Sequence, residues 1–221
     1  MTKTLSVPEE LNRNSAEVHA HGPENTGSEI IALVAETLDL ASLAGCDILD
    51  VGCGVRFTQA IINRDIRIGS YTGIDVYKPV IDFLQAEVSD PRFKFAWWNV
   101  QNDQYNPEGM PIENEQGLPV AGQFGIIWLF SVFTHLFPGD SLTLLKIMRN
   151  YIRDDGALVF TAFVGEDVAE FENRLPLPEI YACYGEAYMK SLLKAAGWRL
   201  ESLQPPNIAR HVQNLLVCRP G

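Results

Sequence analysis

The stretch DILDVGCGVRF at residues 47–57 decides the fold. Its apolar run ends in Gly52-Cys-Gly54, and this pattern predicts a buried strand over 46–51 that enters a tight turn. A helix is predicted over 57–63, and YTGID at 71–75 predicts a second strand that ends in an acid. Because glycine carries no Cβ, a ligand can approach the backbone of such a turn closely.

The same alternation continues along the chain. Apolar runs predict further strands at 93–98, 124–130, 157–163, 198–203 and 213–218, and helices at 28–42, 79–88, 144–152 and 187–196. The middle strands are apolar on both faces, which is typical of a parallel sheet covered by helices. The last two strands follow one another directly. We therefore predict an α/β fold: a doubly wound, Rossmann-like, seven-stranded and mostly parallel sheet with a C-terminal antiparallel hairpin and helices on both faces.

Composition restricts the class of protein. Hydrophobic residues make up 47% of the 221 residues, which excludes a disordered chain. The net charge of −11 argues against a broad nucleic-acid surface, because such surfaces neutralise phosphates with Lys and Arg. The four scattered cysteines predict neither a metal site nor a disulfide framework. No signal peptide and no apolar run long enough to span a bilayer is present, so we expect a cytoplasmic protein without a membrane partner.

The chain is predicted to hold one domain, 28–221, after a polar N-terminal arm, 1–27. The helix at 28 is predicted to begin at a capping box formed by Thr26 and Glu29. Two long loops, 101–122 and 165–185, interrupt the domain. Long loops in compact domains are usually functional or disordered, and we expect these two loops and the N-terminal arm to define a substrate pocket.

Asp75 predicts the class of ligand. It follows Gly54 by 21 residues and ends the second strand, where a carboxylate can accept hydrogen bonds from the hydroxyls of a ribose. A dinucleotide site would need a third glycine where Phe57 stands, and no triphosphate-binding loop is present. The sequence therefore predicts a nucleoside ligand without phosphates.

These motifs resemble those of the class I S-adenosylmethionine-dependent methyltransferases. The resemblance covers residues 44–218, through DILDVGCG at 47–54, YTGID at 71–75, FGIIWLFSVFTHL at 124–136, MRNYIRDDGALVFTAF at 148–163 and LLKAAGWRLESL at 192–203. It implies S-adenosylmethionine as cofactor and a small-molecule acceptor. The SVFTHL segment resembles that of enzymes acting on small molecules or sugars, and an oxygen of a sugar or related metabolite is the expected acceptor atom.

The resemblance also implies a role for individual residues. Gly52 and Gly54 would pack against the methionine part of the cofactor, and Asp50 would face its ammonium group. Asp75 would hold the ribose. The other implied contacts are the adenine site, Val76, Tyr77, Asn99 and Val100, and the floor below the transferring methyl group, Phe130 and Ser131.

One position departs from the family pattern. Arg56 stands where the family has a third glycine, or else the loop is one residue shorter and Arg56-Phe57 begins the helix. In either case Arg56 is a candidate partner for the carboxylate of the cofactor.

His135 is the candidate catalytic residue. A neutral imidazole after the fourth strand could take a proton from an acceptor hydroxyl. The alternative is a structural histidine buried with its apolar neighbours. His19 and His21 are weaker candidates for the site, and one of Trp97 and Trp98, or the turn at Tyr105-Asn106-Pro107, could contact substrate.

Two other functions stay open at this point. One is a catalytically silent partner protein that binds S-adenosylmethionine. The other is a nicotinamide-dependent oxidoreductase, which Phe57 and the two consecutive C-terminal strands disfavour. The oligomeric state cannot be predicted from the sequence.

Overall fold

The computed structural model describes residues 4–13, 16–115, 117–176, 181–207 and 212–221. The chain forms two compact units, Met1–Trp98 and Asn99–Gly221. None of the described helices combines the length and the apolar character needed to cross a membrane.

The first unit is built on a three-stranded parallel sheet. Its strands are β1 (Asp47–Val51), β2 (Ser70–Asp75) and β3 (Phe93–Trp97), in the order β3-β2-β1. Helix α3 (Arg56–Asn63) follows β1, and α4 (Lys78–Glu87) follows β2. Val51 pairs with Ile74, so the turn after β1 lies beside the carboxyl end of β2. The strands predicted at 46–51, 71–75 and 93–98 are confirmed to within one residue.

The segment before β1 differs from the prediction. It forms two helices, α1 (Ala16–His21) and α2 (Pro23–Thr37), so residues 16–21 and 23–27 are helical where an irregular arm was predicted. The predicted capping box is wrong. The Thr26 hydroxyl donates to the Pro23 carbonyl at 3.2 Å, within the helix. Proline suits the first helical position because its missing N–H would have no partner there, and it starts α2 five residues before the predicted helix.

The second unit joins parallel and antiparallel strands. Strand β5 (Ile152–Gly165) is parallel to β4 (Phe124–Leu129) and antiparallel to β9 (Asn214–Pro220), which in turn pairs with β8 (Trp198–Gln204). Helices α5 (Pro138–Arg149) and α6 (Glu186–Ala195) pack against each other. The predicted C-terminal antiparallel hairpin is confirmed.

The described residues contain nine strands, where seven were predicted. The two additional strands are β6 (Phe171–Asn173) and β7 (Ala182–Gly185), inside the segment 165–185 that was predicted as a loop. Residues Phe163–Gly165 of β5 extend past β9 and pair with β7. Strands of three and four residues are too short to show an alternation of apolar and polar residues, which is why the sequence did not reveal them. The described residues of the other predicted loop, 101–115 and 117–122, are irregular apart from a 3₁₀ turn at Ile112–Asn114 and isolated β-bridges of Met110 with Val100 and of Asn102 with Asn106.

Candidate functional site

The turn after β1 is fastened to the end of β2. The backbone N–H groups of Gly52 and Cys53 both donate to the Ile74 carbonyl, at 2.8 and 3.0 Å. The N–H of Gly54 donates to the Asp75 carboxylate at 2.8 Å. Gly52 and Gly54 have φ angles of +76° and +49°, in the left-handed region that glycine adopts without a steric penalty. The turn thus requires both glycines and brings a backbone donor onto Asp75.

Asp75 is held by three donors. Its Oδ1 accepts from the Tyr77 backbone N–H at 2.8 Å, and its Oδ2 accepts from the Gly54 N–H and from the Arg13 guanidinium, the latter at 2.9 Å. Only 3% of the residue is exposed. Sequence reasoning missed Arg13, because a lone arginine in a polar segment gives no signal of the acid that it pairs with.

Val76 and Tyr77 lie half-buried directly after Asp75. The Trp97 indole N–H donates to the Val76 carbonyl at 2.9 Å, so Trp97 supports this segment from β3. Trp98 is buried. The expectation that the two tryptophans differ in burial is therefore confirmed, and Trp97 is the more accessible one.

Asp50 lies in the core of the first unit. It is 1% exposed, and its Oδ2 accepts a hydrogen bond from the buried Tyr71 hydroxyl at 2.5 Å. Burial raises the pKa of Tyr71 well above its ordinary value, and the charge of Asp50 adds to this effect, so the phenol stays protonated and donates. Burial also raises the pKa of the nearby Cys53 thiol, with further contributions from Asp75 and Asp50. Tyr71 was not among the predicted site residues.

Arg56 is the first residue of α3, and Phe57 follows it. The turn therefore spans 52–55, as the shorter-loop alternative predicted. Burial lowers the pKa of Arg56, and the charge of Asp50 opposes that shift. The Arg56 cation thus stands at the first position of a short helix under the influence of the Asp50 charge on β1, an electrostatic arrangement that the motif alone did not show.

The segment after β3 is tied together by Asn106. Its side-chain amide donates to the Asn99 side-chain oxygen at 3.1 Å and to the Val100 carbonyl at 2.9 Å. The Met110 N–H donates to the Asn99 carbonyl at 2.9 Å. Asn106, predicted as a possible substrate contact, thus has a structural role here.

Ser131 has a strained backbone. Its φ is +61°, a conformation that costs a non-glycine residue about 1 kcal/mol. Three neighbours hold it: its N–H donates to the Thr161 hydroxyl at 2.9 Å, its carbonyl accepts from Thr134 at 3.0 Å, and its hydroxyl accepts from Gln213 at 3.0 Å. Strain that is held in this way concentrates at functional sites. Thr161 and Gln213 were not predicted. Neighbouring Phe130 is half-buried against Trp128.

His135 ends a 3₁₀ turn, Phe133–His135, and is half-buried. Phe133 is buried and stacks on Phe160 with 4.4 Å between the ring centroids, so this turn is anchored in the core of the second unit. His19 and His21 are exposed on α1. Within the described part of the chain, no group of three or more His, Cys, Asp or Glu side chains is arranged to hold a metal ion.

Each unit contributes its own predicted site residues. The carboxyl end of the first unit's sheet brings together Asp50, Gly52, Gly54, Arg56, Asp75, Val76 and Tyr77. The second unit holds Asn99, Val100, Phe130, Ser131 and His135. The chemistry available is a buried carboxylate beside a glycine turn in the first unit, and in the second a strained serine and, four residues later, a half-buried histidine.

The sequence of this chain is similar to those of known methyltransferases. A family model described as a methyltransferase domain matches residues 14–203. Ubiquinone biosynthesis O-methyltransferase of Acinetobacter baumannii (strain AYE) is 25% identical over 173 residues, which are 78% of this chain and 63% of that protein. The chain thus spans less than two thirds of the length of this curated relative.

Solved structures show the same fold. The glycopeptide N-methyltransferase MtfA complexed with S-adenosyl-L-homocysteine matches with a TM-score of 0.64 and 12% identity, over 88% of this chain and 90% of that one. An S-adenosylmethionine-dependent methyltransferase from Clostridium acetobutylicum ATCC 824 matches with a TM-score of 0.59 and 14% identity, over 92% and 94%. The mitomycin 7-O-methyltransferase MmcR matches with a TM-score of 0.58 and 14% identity, over 90% and 54%. The predicted α/β fold class is confirmed, with more strands than predicted.

Proposed function

Because the chain belongs to the methyltransferase domain family, we propose that it transfers a methyl group from S-adenosylmethionine to an oxygen of a small molecule, a sugar or a related hydroxylated metabolite. The observation that carries this proposal is the buried Asp75 carboxylate, fixed at the end of β2 beside the two left-handed glycines. The family model matches residues 14–203 and so includes parts of both units, which supports a single methyltransferase domain.

The residues of the first unit fit such a cofactor. Among the described residues, a Cβ placed on Gly54 would have only the Arg13 guanidinium within 4.0 Å, which leaves the backbone of the turn accessible to a ligand. Asp75 would accept the ribose hydroxyls, with Val76 and Tyr77 against the adenine. Arg56 would pair with the cofactor carboxylate, because the N-terminus of α3 also favours an anion there.

S-adenosylmethionine supplies an activated methyl group when it is bound. The chain itself orients donor and acceptor, which can account for several kcal/mol of the barrier, on the order of 7–11 in well-oriented cases. In the second unit, Phe130 and Ser131 would form the floor below the reacting atoms. His135 would accept the proton of a neutral acceptor hydroxyl at an imidazole nitrogen.

Oxygen as the acceptor atom is supported by the curated relative, which is named a ubiquinone biosynthesis O-methyltransferase. The half-buried His135 agrees with this choice, since a base is needed only when the acceptor is a neutral hydroxyl. The sugar is favoured by the resemblance of the SVFTHL segment.

Calorimetric titration with S-adenosylhomocysteine, with NADH in parallel, tests the cofactor. We expect saturable binding of the thioether, weakened at least tenfold by Asp75→Asn and unchanged by Asp82→Asn, an exposed acid on α4 that pairs with Lys78. Binding of NADH alone would identify an oxidoreductase. No binding of the thioether to the wild type or to any variant would overturn the proposal.

Methyl transfer from labelled S-adenosylmethionine to a panel of sugars and hydroxylated metabolites tests the reaction. In the His135→Gln variant we expect transfer to fall while thioether binding stays as in the wild type. A wild-type chain that binds the thioether but labels no acceptor would point to the catalytically silent partner instead.

A further inference from the structure

We infer that Arg13 is an additional residue of the cofactor site, one that competes with the ribose of the cofactor for Asp75 and so sets cofactor affinity. The inference rests on the proposed role of Asp75. Neither the sequence motifs nor the family resemblance assigns a function to Arg13.

The segment that carries Arg13 is anchored to the first unit. Leu5 and Leu11 are 5% and 9% exposed and belong to a buried cluster with Val55 and Val80. The Leu5 backbone N–H donates to the Asn63 side-chain oxygen at 2.7 Å, and the Leu5 carbonyl accepts from the Asn63 amide at 3.1 Å. Residues 5–13 therefore form a strap, which we call the N-terminal strap, fixed along the unit that contains the glycine turn.

At the end of the strap, Arg13 covers the predicted nucleoside contacts. Its Nη2 lies 2.9 Å from Asp75 Oδ2, and its guanidinium carbon lies 4.8 Å from the centroid of the Tyr77 ring. The same guanidinium lies near the open side of Gly54, 4.0 Å from where a Cβ would lie. The Arg13 side chain is 21% exposed, whereas that of Asp75 is 3% exposed. One side chain thus lies over Asp75 and Tyr77, which would hold the nucleoside, and beside Gly54, which would pack against the methionine part of the cofactor.

The Asp75 carboxylate has too few acceptor sites to bind both ribose hydroxyls while it is paired with Arg13. A carboxylate has about four lone-pair sites. Three of them accept from Tyr77, Gly54 and Arg13, which leaves one. The two ribose hydroxyls of the cofactor need two. Both hydroxyls can therefore bind only after Arg13 leaves Oδ2, while the Tyr77 and Gly54 bonds stay in place.

Competition predicts that removal of Arg13 strengthens binding. A hydrogen bond to a charged group that must be broken on binding weakens the observed affinity by about tenfold or more. Because Arg13 is partly exposed, water replaces part of the hydrogen bonding that Arg13 gives up when the cofactor binds. We therefore expect that removal of Arg13 raises the affinity for the cofactor about tenfold.

The test is calorimetric titration of the full chain with S-adenosylhomocysteine. Arg13→Ala and Arg13→Gln should each bind about tenfold more tightly than the wild type, and Arg13→Lys, which keeps the charge, should stay near the wild type. Arg64→Ala is the matched control, since Arg64 is a half-exposed arginine of the same unit that pairs with Glu24 instead, and it should change nothing. Thermal unfolding of each variant shows that the strap variants are folded.

A second ligand separates competition for the ribose from a general loosening of the strap. For an analogue of S-adenosylhomocysteine without the 2′ and 3′ hydroxyls, Arg13→Ala should bind as the wild type does. Equal gains for both ligands would overturn the competition.

The outcomes distinguish this inference from the proposed function. Weaker or unchanged binding of S-adenosylhomocysteine by Arg13→Ala, with clear binding by the wild type, overturns the inference alone. Binding by Arg13→Ala but not by the wild type supports it strongly. Absence of binding by both overturns the inference together with the proposed function.

Discussion

Replacement of Tyr71 by phenylalanine removes a single hydroxyl from the core of the first unit. Tyr71 is 0% exposed, and its hydroxyl donates to the 1% exposed Asp50 carboxylate at 2.5 Å. The variant keeps the ring, which packs at 5.4 Å from Phe93 and 6.2 Å from Phe95, and leaves a buried acid without this donor. The substitution therefore tests one buried polar contact with little change in apolar packing.

The expected loss of stability follows from the nature of the bond. Hydrogen bonds to charged groups contribute about 1.5–3 kcal/mol, and water cannot readily replace the hydroxyl at this depth. For a chain of this size, about 2 kcal/mol lowers the unfolding midpoint by about 4–8 °C. Burial raises the pKa of Tyr71, so the phenol is a donor throughout the neutral range and the loss should not depend on pH between about 6 and 9.

Urea unfolding measures the difference directly. The control is Tyr188→Phe, which removes a hydroxyl from a half-buried tyrosine on α6 and should cost less than about 0.5 kcal/mol. A double-mutant cycle with Asp50→Asn should give a coupling of at least about 1 kcal/mol. The reasoning is refuted if Tyr71→Phe is as stable as Tyr188→Phe, or if the two sites show no coupling.

Three further predictions concern other parts of the chain. Gly73→Ala should cost about 1–3 kcal/mol and also weaken binding of S-adenosylhomocysteine, because the added Cβ would lie 2.9 Å from Cys53 Sγ in the glycine turn. Gly45→Ala, whose added Cβ would have no atom of the described residues within 4 Å, is its control, and equal unfolding midpoints would contradict the argument. Iodoacetamide should label the half-buried Cys46 first, as detected by mass spectrometry, because the other three cysteines are buried and burial raises the pKa of Cys53. Labelling of Cys53 before Cys46 would show that the glycine turn opens. Burial raises the pKa of Asp140, so its ionisation is less favourable in the folded chain than in the unfolded one and lowers stability as the pH rises past about 4. Asp140→Asn should therefore raise the unfolding midpoint at pH 7 and leave it unchanged near pH 3, and a loss at pH 7 would refute this sign.

The strands and the glycine turn of the first unit could be predicted because their signals are local. Apolar runs bounded by glycine and an acid lie within a few residues of one another, and the ends of β1 and β2 agree with the sequence to within one residue. The start of α2 could not be predicted in the same way. Two start signals compete within four residues, the proline at 23 and the hydroxyl at 26, and the helix begins at the first.

The short strands β6 and β7 could not be predicted from the sequence for a related reason. The hairpin of β6 and β7 exists because the end of β5, Phe163–Gly165, offers an unpaired edge beyond β9. Its residues carry no periodic pattern of their own. An edge made available by another strand is a property of the sheet, so only the tertiary structure could show it.

The sequence by itself determined the α/β class, the place of the glycine turn and the acid at the end of β2, since each depends on neighbours along the chain. Tertiary structure alone decided which side chains meet these groups. Arg13 reaches Asp75 across 62 residues, Tyr71 reaches Asp50 across 21, and Gln213 reaches Ser131 across 82. A hydrogen bond between residues so far apart leaves no pattern in the local sequence, because either partner alone is an ordinary polar residue. The contacts arise only when the folded backbone brings donor and acceptor within about 3 Å of each other.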